Sequence, residues 1–453
     1  MNKSKASGGK VGVVSLGCPK NLVDTETMLG RLQLKGYTLT QDPEEADVLV
    51  VNTCGFLAEA EAESRGAIEE MAQIKRDHPG TRLVVTGCLA QRHGEALTRE
   101  MPDIDVLLGA GQYDQLIPMI EAEKPSDAPL LGLGDPEAND ISGTPPRLLT
   151  TPPHTAYVRI AEGCNNTCAF CIIPKLRGAF RSRTPEDIEA EVQNLAGQGV
   201  KEINLVSQDT TLYGRDLSPR SDLAGLLTRL ARVEGIAWIR SLYLYPTLIT
   251  DELLQVMARE EKILPYLDIP LQHSHSEVLT RMRRAERSHT VERLVSRIHE
   301  HLPEAFIRTT FIVGFPGESE AEFQHLYDFI AQARFDHVGV FTYSDEEGTQ
   351  AFEMPDKVPE EIAQERRHLL MTLQQEISRE KLAARVGQTL PVLVDGISEE
   401  FEWLVEGRTQ GQALEVDGVV HINDGSPEAG QIVQVQITDS HEYDLVGHVV
   451  EGA

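Results

Sequence analysis

Short β-branched runs alternate with helix-like segments through residues 9–122, and this alternation constrains the fold more than any other feature. VGVVSL, ADVLVVN and RLVVTG read as strands, and helix-compatible stretches follow the first two. This pattern predicts a doubly wound parallel α/β sheet, in which ligands bind at the carboxyl ends of the strands. Cys18, Cys54 and Cys88 each follow one of these runs. We expect the three thiols to meet at one edge, although any single one could be a core cysteine.

A second α/β segment spans residues 156–384. Its strand-like runs YVRIA, EINLVS, WIRSLYL, YLDIP, FIRTTFIVG and HVGVFTY alternate with helical stretches. Six units predict an open, partial (β/α)6 barrel rather than a closed barrel of eight, with its active face at the carboxyl ends of the strands. Cys164 follows the first strand directly, and Cys168 and Cys171 follow within the same loop. This compact cysteine group is therefore expected at the active face.

The sequence pattern changes between these two segments and after the second one. Residues 123–155 hold seven prolines and little periodicity, which predicts a Pro-rich linker or an ordered crossover loop. Residues 387–453 show short alternating runs punctuated by Gly, which predict a small all-β barrel. This last segment contains 13 acidic residues and a single basic one, Arg408. Such a surface should repel RNA and attract a cationic protein.

Charge and hydropathy narrow the class of protein. The formal net charge is −29, with 71 acidic and 42 basic residues, so the overall field is poor for binding a phosphate backbone. Solubility alone could also explain an acidic total. No run approaches a membrane span, and the apolar stretch near the start is too short for a secretory signal. These features predict a cytoplasmic protein, where cysteines act as ligands or catalytic groups more often than as disulfides.

The chemistry of the six cysteines follows from their grouping in threes. Cys164, Cys168 and Cys171 place three thiols within eight residues, and the chain has no second C-x-x-C pair of the kind that zinc sites use. A cubane iron-sulfur cluster needs a ligand for each of four irons, and a tight loop can reach three of them. Each group of three would leave one metal position open. Two open metal sites in one chain suggest catalysis.

The segment AEGCNNTCAFCIIPKLRG resembles the cluster loop of the radical S-adenosylmethionine (SAM) enzymes. The resemblance implies that the open iron of a 4Fe-4S cluster binds the amino and carboxylate groups of the methionyl part of SAM. It also implies that electron transfer from the cluster cleaves SAM to methionine and a 5'-deoxyadenosyl radical.

Nearly the whole chain resembles the methylthiotransferases within that superfamily. The resemblance implies an N-terminal methylthiotransferase domain (9–122), a radical-SAM domain (156–384) and a TRAM-like substrate-recognition domain (387–453). It implies two 4Fe-4S clusters, the second carrying the sulfur that is inserted, while one SAM supplies the methyl group and another the radical. The implied metal ligands are Cys18, Cys54, Cys88, Cys164, Cys168 and Cys171.

Four segments, SLGCPKNLVDTE, NLVSQDTTLYGRD, IPLQHS and TYSDEEGTQA, resemble the branch that modifies an aspartate of ribosomal protein S-twelve. This branch implies insertion of a methylthio group at the β-carbon of that aspartate. The implied partners are a basic ribosomal protein, free or in the small subunit, an electron-donor reductase and a sulfur source, with no membrane and no sequence-specific nucleic-acid binding. Two alternatives stay open: a tRNA adenosine methylthiotransferase, which the acidic tail disfavours, and a non-enzymatic zinc-binding scaffold.

Other candidate site residues carry weaker signals, and none is assigned a catalytic role beyond the clusters. Gly314 and Glu318, in FIVGFPGE, resemble the glycine-containing SAM-side segment, while a turn with a helix cap explains Glu318 equally well. Gln208 ends the second strand in SQD, where the radical-SAM family has a motif that contacts the SAM amino group; the resemblance implies that role for Gln208, although SQD replaces the more typical Gly-Glu-Glu. Arg177 and Arg181 could meet a carboxylate, although most such arginines are surface residues. His273 and His275 are expected in loop or cap roles.

Overall fold

The structure is a computed structural model that describes residues 8–123, 128–398 and 403–450. Its first unit is a parallel sheet of six strands in the order β2-β1-β3-β4-β5-β6. This confirms the predicted doubly wound α/β fold. The strands are β1 Lys10–Ser15, β2 Thr38–Leu39, β3 Val48–Thr53, β4 Arg82–Gly87, β5 Val106–Leu108 and β6 Leu130–Gly132. The helices are α1 Pro19–Leu34, α2 Ala58–Asp77, α3 Cys88–His93, α4 Glu95–Glu100 and α5 Leu116–Glu121.

The second unit is an open parallel sheet of six strands in the order β14-β13-β12-β11-β10-β7, as the six strand-helix units predict. A short antiparallel pair, β8 with β9, lies beside it. The strands are β7 Thr155–Arg159, β8 Ala161–Glu162, β9 Arg181–Ser182, β10 Glu202–Val206, β11 Trp238–Ser241, β12 Ile263–Gln272, β13 Phe306–Val313 and β14 His337–Thr342. The helices are α6 Ile173–Arg177, α7 Pro185–Gly197, α8 Leu223–Leu230, α9 Asp251–Arg259, α10 Ser276–Arg281, α11 Ser288–His301, α12 Glu320–Ala333 and α13 Glu360–Ala383.

The third unit is a closed five-stranded barrel in the order β15-β16-β17-β19-β18, which confirms the predicted all-β module. Its core is formed by small aliphatic side chains, among them Val392, Val394, Val420 and Ile437. Among the described residues, no helix is both long and apolar enough to cross a membrane. The strands are β15 Thr389–Ile397, β16 Val405–Thr409, β17 Val420–Asp424, β18 Ile432–Ser440 and β19 Leu445–Val449.

The Pro-rich segment 123–155 is an ordered crossover over its described part, 128–155. Its strand β6 pairs in parallel with β5 and extends the first sheet. The Leu148 N–H donates to the Glu26 carbonyl, and the Arg147 guanidinium is buried between the carboxylates of Glu26 and Glu191. The sequence did not predict β6, because three residues flanked by prolines give too little periodicity.

The C-terminal barrel closes the base of the partial barrel, at the amino ends of its strands. Arg240 of β11 donates to the carbonyls of Gln410 and Gln412, at 2.9 Å each. Apolar side chains of both units form one core cluster there, including Leu393 of β15 and Tyr266 of β12. The barrel is therefore held against the partial barrel by the loop between β16 and β17, and not only by its covalent connection to α13.

Buried ion pairs fix this junction. Arg408, the one basic residue of the C-terminal segment, is 1 % exposed and lies 2.7 Å from Glu202 and 2.8 Å from Asp395. Burial alone would raise the pKa values of Glu202 and Asp395. At Glu202 the guanidinium groups of Arg408 and Arg240 outweigh burial and hold the pKa below its usual range. At Asp395 the Arg408 guanidinium and the His154 ring have the same effect.

The lowered pKa values predict an acid-sensitive junction. A carboxylate with a depressed folded-state pKa stabilises the fold above its unfolded pKa, near about 4, and loses that contribution as the pH falls below it. We expect the thermal unfolding midpoint to fall steeply below about pH 4. In a Glu202→Gln variant the midpoint should start lower at pH 7 and depend less on acid. An equal acid slope in variant and parent would contradict this assignment.

Candidate active site

All six cysteines line one cavity of about 490 Å³ between the first unit and the partial barrel. The two cysteine groups were expected at the carboxyl edges of separate sheets, and the structure places those two edges opposite each other. The volume is within the usual range for sites that bind small molecules. The cavity therefore brings both candidate metal sites to the same enclosed space.

The first cysteine group is positioned by three neighbouring strands. Cys18 follows β1 and precedes α1, Cys54 follows β3, and Cys88 follows β4 and begins α3. Since β1, β3 and β4 are adjacent and parallel, their carboxyl ends share one edge. Gly17 has φ +94°, and a Cβ there would stand 2.9 Å from the Cys54 Cβ. Glycine thus permits Cys18 and Cys54 to approach each other.

The second cysteine group lies in the loop between β8 and α6. The Asn166 N–H faces the Cys164 sulfur at 3.4 Å, and the Asn166 side chain donates to Asp209 at 2.8 Å. Farther along, the Ala169 N–H donates to the Met282 carbonyl at 2.9 Å. These contacts hold the loop against the strand ends at both sides of Cys168.

Burial dominates the acidity of several thiols. It raises the pKa of Cys88 and of Cys164 to about 11 and that of Cys171 to about 12. These groups are protonated at neutral pH in the metal-free chain. Metal loading must therefore displace protons from them.

The donor set fits an iron-sulfur cluster better than a single metal ion. Over residues 8–123, 128–398 and 403–450, no three His, Cys, Asp or Glu side chains converge closely enough to bind one ion. In a cubane each thiolate binds a different iron, so its ligands stand farther apart than those of a tetrahedral zinc site. In each group three thiols line the cavity, and three thiolates with one open iron are a donor set that suits a cubane.

Gln208 lines the cavity, whereas Gly314 and Glu318 do not. The Gln208 amide donates to Glu162 at 2.9 Å, and its buried carbonyl oxygen has no partner among the described residues. Glu318 instead accepts from the N–H groups of Gly314 and Phe315, which is the turn role, whereas Ser319 and Glu322 cap α12. A SAM contact for these three residues stays a prediction, and Gln208 is the best placed of them.

The two arginines near the cluster loop are not free surface groups. Arg177 is buried and lies 2.8 Å from Asp24, on α1 of the first unit, so the carboxylate that it meets belongs to this chain. Arg181 donates to the backbone carbonyls of Pro136, Glu137 and Asn139. Arg177 therefore joins the two units that form the cavity, while Arg181 fixes the crossover.

The histidines have the expected local roles. The His275 ring accepts from the Glu277 N–H at the start of α10, at 3.3 Å. The buried His273 ring accepts from the His275 N–H at 2.9 Å. Both stabilise the turn after β12.

Sequence reasoning missed three cavity residues: Lys20, Tyr243 and Arg284. Lys20 lies two positions after Cys18, and its Nζ stands 3.4 Å from the centre of the Tyr243 ring. Its place directly after a strand-end cysteine was a usable signal. Tyr243 has φ +60° and Arg284 reaches the Cys168 sulfur at 3.9 Å, and no sequence pattern indicates either.

Family models match the three units. Residues 10–109 match the "Uncharacterized protein family UPF0004", residues 158–330 the radical SAM superfamily, and residues 386–450 the TRAM domain. In fold, the chain is similar to the radical S-adenosylmethionine methyltransferase TsrM of Kitasatospora setae, with TM-score 0.58 and 12% identity over 81% of this chain and 89% of that one. The partial barrel, the cysteine loop and these matches define the class: a radical-SAM enzyme.

Curated relatives narrow the class further. The ribosomal protein uS12 methylthiotransferase RimO of Sorangium cellulosum is 48% identical over 98% of this chain and 92% of its own length. RimO of Geobacter sulfurreducens is 47% identical over 97% of this chain and 98% of its own length. The chain belongs to the RimO family of radical-SAM methylthiotransferases.

Proposed function

We propose that this chain inserts a methylthio group at the β-carbon of an aspartate in ribosomal protein uS12. The observation that carries the proposal is the single cavity lined by both cysteine groups. Near-full-length similarity to RimO enzymes of several bacteria supports the substrate. A radical must form and sulfur must arrive at the same carbon, so both sites have to open onto one space.

The metal ligands would be the six cysteines, three for each of two 4Fe-4S clusters. Cys164, Cys168 and Cys171 would hold the cluster that binds SAM, and Cys18, Cys54 and Cys88 the second one. When bound, one SAM with the first cluster would supply the 5'-deoxyadenosyl radical, another SAM the methyl group, and the second cluster the sulfur. An external reductase and a sulfur source are the further partners that this chemistry needs.

The chain's own residues would bind and shield the reactants. Gln208 lines the cavity and its carbonyl oxygen has no hydrogen-bond partner among the described residues, which suits the SAM amino group. The wall of the cavity includes the apolar side chains of Phe56, Leu57, Phe170 and Ile312. An apolar wall helps to keep water from a radical and so limits side reactions.

The tRNA alternative is disfavoured by the surface of the C-terminal barrel. The exposed side chains of this barrel include Glu415, Asp424, Glu428 and Asp439. Arg408 is buried and contributes no positive charge to the surface. This surface repels phosphates and suits a basic ribosomal protein. The zinc-scaffold alternative is disfavoured because the chain is similar to RimO enzymes over nearly its whole length.

The substrate is tested by comparing cells with and without the gene. We expect mass spectrometry to find the methylthio group missing from uS12 and unchanged in tRNA when the gene is deleted. Reintroduction of the gene should restore the modification. Loss of a methylthio group from tRNA, with uS12 unaffected, would contradict the proposal.

Capture of uS12 should depend on the exposed acids of the barrel. Neutralising Asp424, Glu428 and Asp439 to the corresponding amides should raise the KM for uS12 several-fold at low salt, because the acidic surface steers the basic substrate. The difference from the parent should shrink as salt increases. Matched neutralisation of Glu59, Glu63 and Glu69 on α2 serves as the control and should leave the KM unchanged.

A further inference from the structure

The wall of the cavity carries cations and no carboxylates. Lys20, Arg177 and Arg284 line it, and no Asp or Glu does so among the residues that the structure describes. The chain as a whole has a net charge of −29, so an acid-free wall with three cations departs from its general composition. Such a wall favours anionic ligands.

Two of these three cations already have counter-charges within the chain. Arg177 lies 2.8 Å from Asp24, and Arg284 lies 2.9 Å from Glu286. Lys20 is buried, and within the described ranges it forms no ion pair with a carboxylate. The ammonium lines an acid-free cavity wall and has no carboxylate of the described residues in direct contact, so an anion that enters the cavity can pair with it.

The position of Lys20 is fixed by its neighbours. Its ammonium stands over the Tyr243 ring, which a cation-π contact favours. Tyr243 is held in the left-handed region, φ +60°, while its N–H donates to Asp268 at 3.0 Å. A non-glycine residue in this conformation costs free energy, so its surroundings hold it there, and such strain often accompanies functional sites. The ring and the ammonium therefore form a built site rather than a chance contact.

Two anions must enter the cavity if the proposed function holds: the SAM carboxylate and the carboxylate of the target aspartate. Arg284 reaches the Cys168 sulfur and thus lies at the cysteine group proposed for SAM. Lys20 lies at the other group, two residues after Cys18. The aspartate carboxylate is bonded directly to the β-carbon that receives sulfur, so it must be bound close to the group that delivers sulfur.

We propose that the Lys20 ammonium binds the side-chain carboxylate of the target aspartate and so selects aspartate over its amide. The proposal rests on the proposed function and adds a specificity-determining residue to it. The ion pair would also orient the β-carbon between the two cysteine groups. Asparagine at the target position would leave the ammonium without its counter-charge.

The test uses the reconstituted full-length enzyme and two peptides that span the target position of uS12, one with Asp and one with Asn there. With SAM present and no reductant, the parent should bind the Asp peptide roughly ten- to hundredfold more tightly. Lys20→Met should reduce this preference to about one, and Lys20→Arg should keep part of it. The matched control is Lys175→Met, since Lys175 is exposed and donates to the Gly348 carbonyl.

Iron content and SAM affinity are measured in every variant, so that a misfolded or unloaded protein is recognised. A Lys20→Met enzyme that loads iron and keeps the parent's preference for Asp overturns the role of Lys20 alone. A variant that loses SAM affinity, with both peptides bound as before, assigns Lys20 to the SAM carboxylate and also overturns it. Failure of the parent to modify either peptide or intact uS12 counts instead against the proposed function.

Discussion

Replacing Cys164, Cys168 and Cys171 together by Ala should abolish SAM cleavage and halve the iron content. Anaerobic reconstitution of the parent should give about eight irons per chain, and this variant about four. The physical reason is that the three thiols of this loop are the ones held against the strand ends of the partial barrel, beside Gln208. Iron analysis and the release of 5'-deoxyadenosine measure the two effects.

The matched control replaces Cys18, Cys54 and Cys88 by Ala. It should also reduce the iron to about four, but it should retain SAM cleavage and lose only insertion of the methylthio group. The two variants therefore separate radical formation from sulfur delivery. An iron content that neither triple substitution changes, or zinc in place of iron in anaerobically prepared protein, would refute the two-cluster proposal.

Arg408→Met should destabilise the protein by about 3–5 kcal/mol, the usual cost of removing one partner from a buried ion pair. Arg408 is 1 % exposed and lies between Glu202 and Asp395, so the substitution leaves two carboxylates without it. Chemical denaturation, followed by the loss of helical circular dichroism, measures the effect. The expected change is large because the Glu202 side chain is fully buried and that of Asp395 is only 15% exposed, so water solvates the remaining charges poorly.

Arg379→Met is the matched control for this prediction. Arg379 also pairs with a glutamate, Glu442, but its side chain is 52% exposed. Exposed pairs contribute at most about 1 kcal/mol, so the control should remain close to the parent. Equal effects of the two substitutions would show that burial of the Arg408 site does not control its contribution.

The sequence predicts well that the three cysteines of the first unit lie together at one edge of its sheet. Cys18, Cys54 and Cys88 each follow a strand-like run, and doubly wound sheets bring the carboxyl ends of such strands together. The partial barrel and the small β-barrel were likewise predictable, because strand-helix alternation and short Gly-punctuated strands are local patterns. These elements depend mainly on neighbouring residues.

The cavity between the units was not predictable, because it depends on contacts between distant residues. Asp24 and Arg177 are 153 positions apart, and their ion pair joins the two units. The left-handed backbone of Tyr243 depends on Asp268, a residue 25 positions away on β12. The sequence therefore showed that Lys20 lies near a strand-end cysteine, but not that its ammonium lies over the Tyr243 ring in this cavity.

The docking of the C-terminal barrel has a consequence for exchanging parts between related enzymes. Arg240 donates to two carbonyls of that barrel, and Arg308 pairs with its Asp417 at 2.6 Å. A chimera that takes this module from a relative must therefore import matching groups at the amino ends of β10, β11 and β13 as well. Substrate preference and the integrity of the catalytic body would then be inherited together, so the module cannot be swapped as an independent cassette.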